Sequence, residues 1–265
     1  MFMQRLITSL ILVPLVLLSI FYANFWVLGA LVFFVTLLAG KECCKLIPLE
    51  QWWKKVIFLI ALFAGIWVCG YYFDYWQTAG LILWLIICVA ILTYPESQRY
   101  WGYPVIVAGA SLLLFPLFIQ SLVRVYYLQQ GQSLLIYLFF LVWAADVGAY
   151  LMGKLCGQHK LIPKVSPGKS WEGLIGGFLL ALAVATAGYI YYVPYSIVLW
   201  FSVAVSTVII SIFGDLFISI LKRRCHLKDT GDIIPGHGGI LDRLDSLIAA
   251  LPVFYFGLTY IPLGI

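Results

Sequence analysis

The sequence predicts an all-α, polytopic integral membrane protein with about nine transmembrane helices and a cytoplasmic N-terminus, and three observations carry that expectation. Only 10% of the 265 residues are charged and 64% are hydrophobic, whereas an ordinary soluble domain carries about 25% charged residues. So few charges cannot cover a water-facing surface of this size. Uncharged runs recur at about the 20-residue length that a helix needs to cross a bilayer. The basic residues, finally, gather on alternate connections between those runs.

The first run, residues 6–22, follows Arg5 and mimics a secretory signal, but no small-residue cleavage site follows it. It reads as a retained span. No charge occurs between Arg5 and Lys41, too long a stretch for one helix, so a second span at 25–40 forms a hairpin with the first, broken near Asn24. Further spans are expected at 56–73, 76–94, 103–123, 133–152, 172–193, 196–221 and 246–265. Continuous apolar runs of this length are helices, because strands of an outer-membrane barrel alternate every second residue.

With the N-terminus inside, the cytoplasmic side receives all of the 16 Lys and Arg residues except Arg124. That bias selects the orientation and supports the count. Both long polar loops, 153–171 and 222–245, fall on the same side. Residues 1–130 are low in ionisable groups, and residues 131–265 form a catalytic transmembrane region with the two loops. None of the six cysteines forms a C-x-x-C pair, which argues for packing rather than disulfides or a thiolate metal site. The net charge of +5 is scattered over loops and follows topology, not a nucleic-acid partner.

Seven of the eleven acids lie between Asp146 and Asp245. Asp146 and Asp215 fall inside apolar runs, where an acid usually faces a partner or a wet cavity; hydration at a helix end is the plainer alternative. Ser211, Asp215, Ser219 and Lys222 share one helix face. Asp242 and Asp245 share a face at the start of the last helix, where capping is the simpler role. Carboxylates without thiolates favour a hard cation such as Mg²⁺; zinc from Cys225, His226 and His237 has poor spacing. In "KVSPGKSWEG", Pro167–Gly168 signals a turn, Ser170 an N-cap and Glu172 the first helical turn. Lys169 beside that turn suits a phosphate. Gly168-Lys169-Ser170 matches the tail of a P-loop, but Pro163 stands where its first glycine belongs. Acids for a cation, bases for phosphates and a membrane rim point to phosphoryl or nucleotidyl transfer with a lipid substrate.

"SILKRRCHLKDTGDIIPGHGGILDRLD", Ser219 to Asp245, resembles the signature of phosphatidate cytidylyltransferases, also called CDP-diacylglycerol synthases. "AADVGAYLMGK" and "SPGKSWEG" are similar to two further family segments, so the resemblance covers about residues 140–250. It implies a helical, often dimeric membrane enzyme of the bacterial inner membrane. It also implies transfer of CMP from CTP to phosphatidic acid, with the site facing the cytoplasm. Mg²⁺ is the implied cofactor, with K⁺ as a second cation. The implied metal ligands are Asp215 and Asp242, with Asp146 completing the shell or orienting a base. Lys222 and Asp245 join the two aspartates as catalytic residues, and Lys169, Ser170, Arg223, Lys228, Asp229, His237 and Arg243 are expected to bind substrate. Two rival readings are a CTP-dependent lipid kinase, which shares part of the motif set, and an ion-coupled transporter, which would show paired repeats and midplane sites.

Overall fold

A computed structural model describes residues 2–22, 24–234, 236 and 238–260. Its helices are α1 (Phe2–Tyr22), α2 (Phe25–Leu46), α3 (Trp52–Tyr71), α4 (Phe73–Leu92), the single turn α5 (Gln98–Trp101), α6 (Pro104–Tyr126), α7 (Gly131–Cys156), α8 (Trp171–Tyr192), α9 (Ile197–Arg224) and α10 (Leu241–Leu258). Among the described residues nine long helices overlap the runs where the sequence predicts spans. Among the described residues seven of them, α2–α4 and α6–α9, are long and apolar enough to cross a membrane. The apolar part of α1 is the shorter stretch Leu10–Tyr22, and α10 carries Asp242, Arg243 and Asp245 in its first turns. The outward faces are apolar, as at Leu85 and Val89 of α4 and Leu179 and Ile190 of α8. Such side chains suit a lipid environment, and the chain is an integral membrane protein.

Several helices outrun the apolar stretches that predicted them. The last turn of α9 takes in Lys222, Arg223 and Arg224, where cations meet the negative end of the helix dipole. The connection to α10 thus begins at residue 225 and not 222. At the other end, α10 starts at Leu241, ahead of the expected 246. In the same way α2 continues past Lys41 to Leu46.

The expected loop 153–171 contains a small antiparallel hairpin, β1 (Lys160–Ile162) and β2 (Ser166–Ser170), with Lys160 paired to Ser170 and Ile162 to Ser166. Pro167–Gly168 is not its turn. The chain reverses at 163–165, where Val165 is fully buried and its N–H donates to Ile162 O at 3.1 Å. Pro167 then sits in a two-stranded edge, a place that tolerates a residue without an N–H.

Small residues let two pairs of helices close up. A Cβ added at Gly177 of α8 would lie 2.6 Å from Ala145 O of α7, and one at Gly148 would strike the backbone of Gly176. This is the close packing that small residues allow between membrane helices. α10 lies against α9 and α6, with Phe254, Leu247 and Leu251 buried. Gln77 of α4 donates to Pro252 O at 2.8 Å, and Arg224 donates to Gly102 O at 2.8 Å and to Leu46 O. These bonds tie the first half of the chain to the second.

Candidate active site

One cavity of about 330 Å³, walled partly by α8, gathers polar side chains from three other elements: Asp146 comes from α7, Lys169 and Ser170 from β2, and Asp215 from α9. The hairpin and α8 are joined by Ser170, whose Oγ accepts the N–H of Gly173 at 3.1 Å while the residue is only 3% exposed. That is the N-cap the sequence predicts. Glu172, two residues on, accepts the N–H groups of Gln158 and His159 and contacts His159 Nδ1 at 2.6 Å. Both ends of the hairpin are thereby anchored, and Lys169 is carried to the cavity. Its Nζ lies 2.6 Å from Asp215 Oδ2.

The second wall comes from α9 and α10. Gly214 permits it, because a Cβ there would run into Asp245 O and Ser246 of α10. Asp245, 8% exposed, accepts its neighbour Ser246 N–H at 2.8 Å and lies against the Asp215 carboxyl. Along α9, Ser219 Oγ donates to Asp215 Oδ1 at 3.4 Å, and Lys222 Nζ lies 2.6 Å from Asp242 Oδ1. Lys222 also acts electrostatically on Asp215 and Asp245. Ser211, the first member of the predicted polar stripe, donates to Val208 O of its own helix.

Asp242 does two jobs. It pairs with Lys222, and its Oδ2 accepts the N–H groups of Thr230 at 2.8 Å and Gly239 at 3.1 Å. Anchoring of the preceding loop and charge pairing are thus combined in one residue. Asp146 lies within electrostatic reach of Asp215, Lys169 and Arg243. The structure therefore brings together Asp146, Lys169, Ser170, Asp215, Lys222, Asp242, Asp245 and Arg243.

The remaining predicted residues lie nearby in sequence but differ in exposure. Arg223 is exposed and donates through Nε to Val165 O at 3.4 Å, steadying the hairpin. Lys228 and Asp229 are exposed on the connection to α10. His237 lies outside the described residues. For the zinc alternative, Cys225 Sγ is directed to Leu46 O at 3.2 Å. Among the described residues no three His, Cys, Asp or Glu side chains are gathered as a ready metal cage. A cation at this site would draw on one or two carboxylates and on substrate oxygens, the habit of Mg²⁺.

Glu42 of α2 is the residue that sequence reasoning missed. It is 2% exposed and accepts hydrogen bonds from Thr230, Ile240 and Leu241. The signal was its spacing: Ala39, Glu42, Cys43 and Leu46 are all buried at helical intervals, so an acid sits in an inward stripe.

A second cavity, about 440 Å³, is lined by apolar side chains of α1, α2, α6, α7, α10 and the connection before α10, and by Arg243. Arg243 therefore borders a space fit for hydrocarbon and also acts on Asp146.

Comparison with known proteins places these features in context. Residues 3–261 match the cytidylyltransferase family. The chain is 39% identical over 262 residues to the phosphatidate cytidylyltransferase of Pseudomonas aeruginosa, with 96% of each chain covered. It is 34% identical over 285 residues to that of Haemophilus influenzae, covering 97% of this chain and 98% of the relative. The Staphylococcus aureus protein of the same name is 46% identical over 127 residues, about half of either chain.

The N-cap at Ser170 gives a direct test of how the hairpin is held. Ser170→Ala should cost about 1 kcal/mol and Ser170→Gly only a few tenths, read as thermal unfolding midpoints in detergent. Equal midpoints for the wild type and the alanine variant would contradict the capping role.

Proposed function

We infer the reaction from one premise: the chain belongs to the cytidylyltransferase family. It is a phosphatidate cytidylyltransferase, an integral membrane nucleotidyltransferase of phospholipid synthesis that transfers CMP from CTP to phosphatidate. The products are CDP-diacylglycerol and pyrophosphate.

We propose that the acid–lysine cluster performs this transfer. A phosphate oxygen of phosphatidate attacks the α-phosphorus of CTP, and the bond to the β,γ-pyrophosphate breaks, its electron pair leaving with pyrophosphate. The observation that supports this reading is the pairing of Lys169 with Asp215 and of Lys222 with Asp242, both at 2.6 Å. Each lysine would serve as a phosphate ligand beside an acid, and each acid would serve as a cation ligand once its lysine moves. When the triphosphate arrives, the lysines turn to its oxygens and the carboxylates are released. Asp215 and Asp242, with Asp146, would then hold Mg²⁺; the hard oxygen donors and the lack of thiolates suit that ion. Bound there, Mg²⁺ supplies charge neutralisation for the phosphates. K⁺ is the companion cation in this reading.

The chain's own residues do the rest. Lys169, Lys222, Arg223 and Arg243 bind phosphate oxygens and orient the two substrates in line. Ser170 fixes Lys169 by capping α8, and Asp245 supports Asp215. Lys228, Asp229 and His237 complete the nucleotide side. An acyl chain of phosphatidate occupies the 440 Å³ apolar cavity, with its headgroup drawn towards Arg243. The one-sided placement of basic residues supports a cytoplasmic site in a bacterial inner membrane, and the family resemblance supports a homodimer.

Incubating the purified protein with CTP, Mg²⁺ and phosphatidate should yield pyrophosphate and a CMP-bearing lipid. Release of CDP with a lipid alcohol would instead indicate the kinase. Asp215→Asn and Asp242→Asn should each lower turnover at least about 100-fold while the protein still inserts and folds. Near-normal turnover in either variant would remove that residue from the site. Leu247→Trp, which fills the apolar cavity, should raise KM for long-chain phosphatidate several-fold and leave a short-chain analogue unaffected. Equal effects on both lipids would place the acyl chain elsewhere.

A further inference from the structure

Glu42 lies in the half of the chain that carries little chemistry, yet its carboxylate is bonded entirely to the segment around Asp242. Oε2 accepts the N–H of Leu241 at 2.8 Å and contacts Thr230 Oγ1 at 2.9 Å, while Oε1 accepts the N–H of Ile240 at 3.1 Å. The first N–H groups of a helix have no partner within it, and Ile240, the N-cap of α10, offers no side-chain bond of its own. Glu42 fills that role from a helix nearly 200 positions earlier (198 to Ile240).

Thr230 links the two acids. Its hydroxyl stands 2.9 Å from both Glu42 Oε2 and Asp242 Oδ2, and one hydroxyl hydrogen serves one acceptor at a time. Asp242 Oδ2 already accepts two backbone N–H groups, so the hydroxyl proton goes to Glu42. The glycines on either side close onto the same carboxylate: a Cβ at Gly231 or Gly239 would collide with Glu42. A loop shaped to admit one buried acid at two points is more than a chance contact.

We propose that Glu42 is a positioning residue for the transfer reaction, holding Thr230 and the start of α10 so that Asp242 keeps its place opposite Lys222. This rests on the reading of Asp242 as a site residue. Glu42 touches neither Lys169 nor Lys222, so its loss should displace the acid while leaving the phosphate-binding bases where they are.

Glu42→Gln preserves size but turns an NH₂ towards a backbone donor. It should lower kcat at least tenfold, with KM for CTP and phosphatidate held within about twofold. Thr230→Val, which removes the shared hydroxyl, should lower kcat selectively as well, by at least threefold. The double variant should be no slower than Glu42→Gln alone, because the two act through one contact. Should Glu42→Gln fail to fold in detergent, Thr230→Val alone decides. A lower unfolding midpoint with kcat within twofold of wild type, in whichever variant folds, would make the contact merely structural and overturn the proposal. Asp242→Asn assayed alongside separates the two ideas: an active Asp242→Asn sinks the site reading, whereas an inactive one beside a normal Glu42→Gln sinks only the role of Glu42.

Discussion

Asp146 and Asp215 stand well inside the apolar helices α7 and α9, and Asp242 and Asp245 in the first turns of α10; three of the four are within reach of one another's charge, and two lysine contacts of 2.6 Å hold that arrangement together. An acid in such a position is costly unless it faces a partner or water, and removing one member of a partly buried ion pair strands the other. Under the proposed function Lys169 and Lys222 therefore hold the fold and serve the reaction at once. They come from different parts of the chain, one from a hairpin and one from the last turn of α9, so the site exists only when both are docked. The same lysines that neutralise the acids are the groups a triphosphate would seek, which gives binding and reorganisation a common cause.

The scaffold serves that arrangement through close helix contacts. Gly148 and Gly177 bring α7 and α8 together, which sets Asp146 beside the hairpin; Gly214 brings α9 onto α10, which sets Asp215 against Asp245. Ser170 then fixes the hairpin to α8. The four candidate acids Asp146, Asp215, Asp242 and Asp245 sit on helices rather than loops, where packing limits their movement. The connection to α10 is exposed at Lys228 and Asp229, while Glu42 and Asp242 pin its buried end at Thr230.

Much of this was legible in the sequence, for reasons that particular residues make clear. Apolar run length found the long helices because the bilayer sets their length. Asp215 stood out because Ser219 and Lys222 follow it at helical spacing, and both act on it in the structure. Ser170 was readable as a cap because its role is local. The failures share a cause as well. Ending each span at its first charge cut α2 at residue 40 and α9 at residue 221, although helix termini are where charges are best tolerated. That rule also hid Glu42, which looked like one more polar residue beside Lys41. Its partners lie far along the chain, and no local pattern names them. Pro167–Gly168 misled because turn chemistry is a local preference, whereas the burial of Val165 fixed the reversal at 163–165.

The central claim is that lysine–aspartate pairing is exchanged for substrate. A structure of the protein with CTP and Mg²⁺ tests it most directly. The account predicts that Lys169 and Lys222 leave Asp215 and Asp242 for phosphate oxygens, with the freed carboxylates turned to the cation. Both 2.6 Å contacts surviving intact, with the nucleotide bound elsewhere, would contradict it.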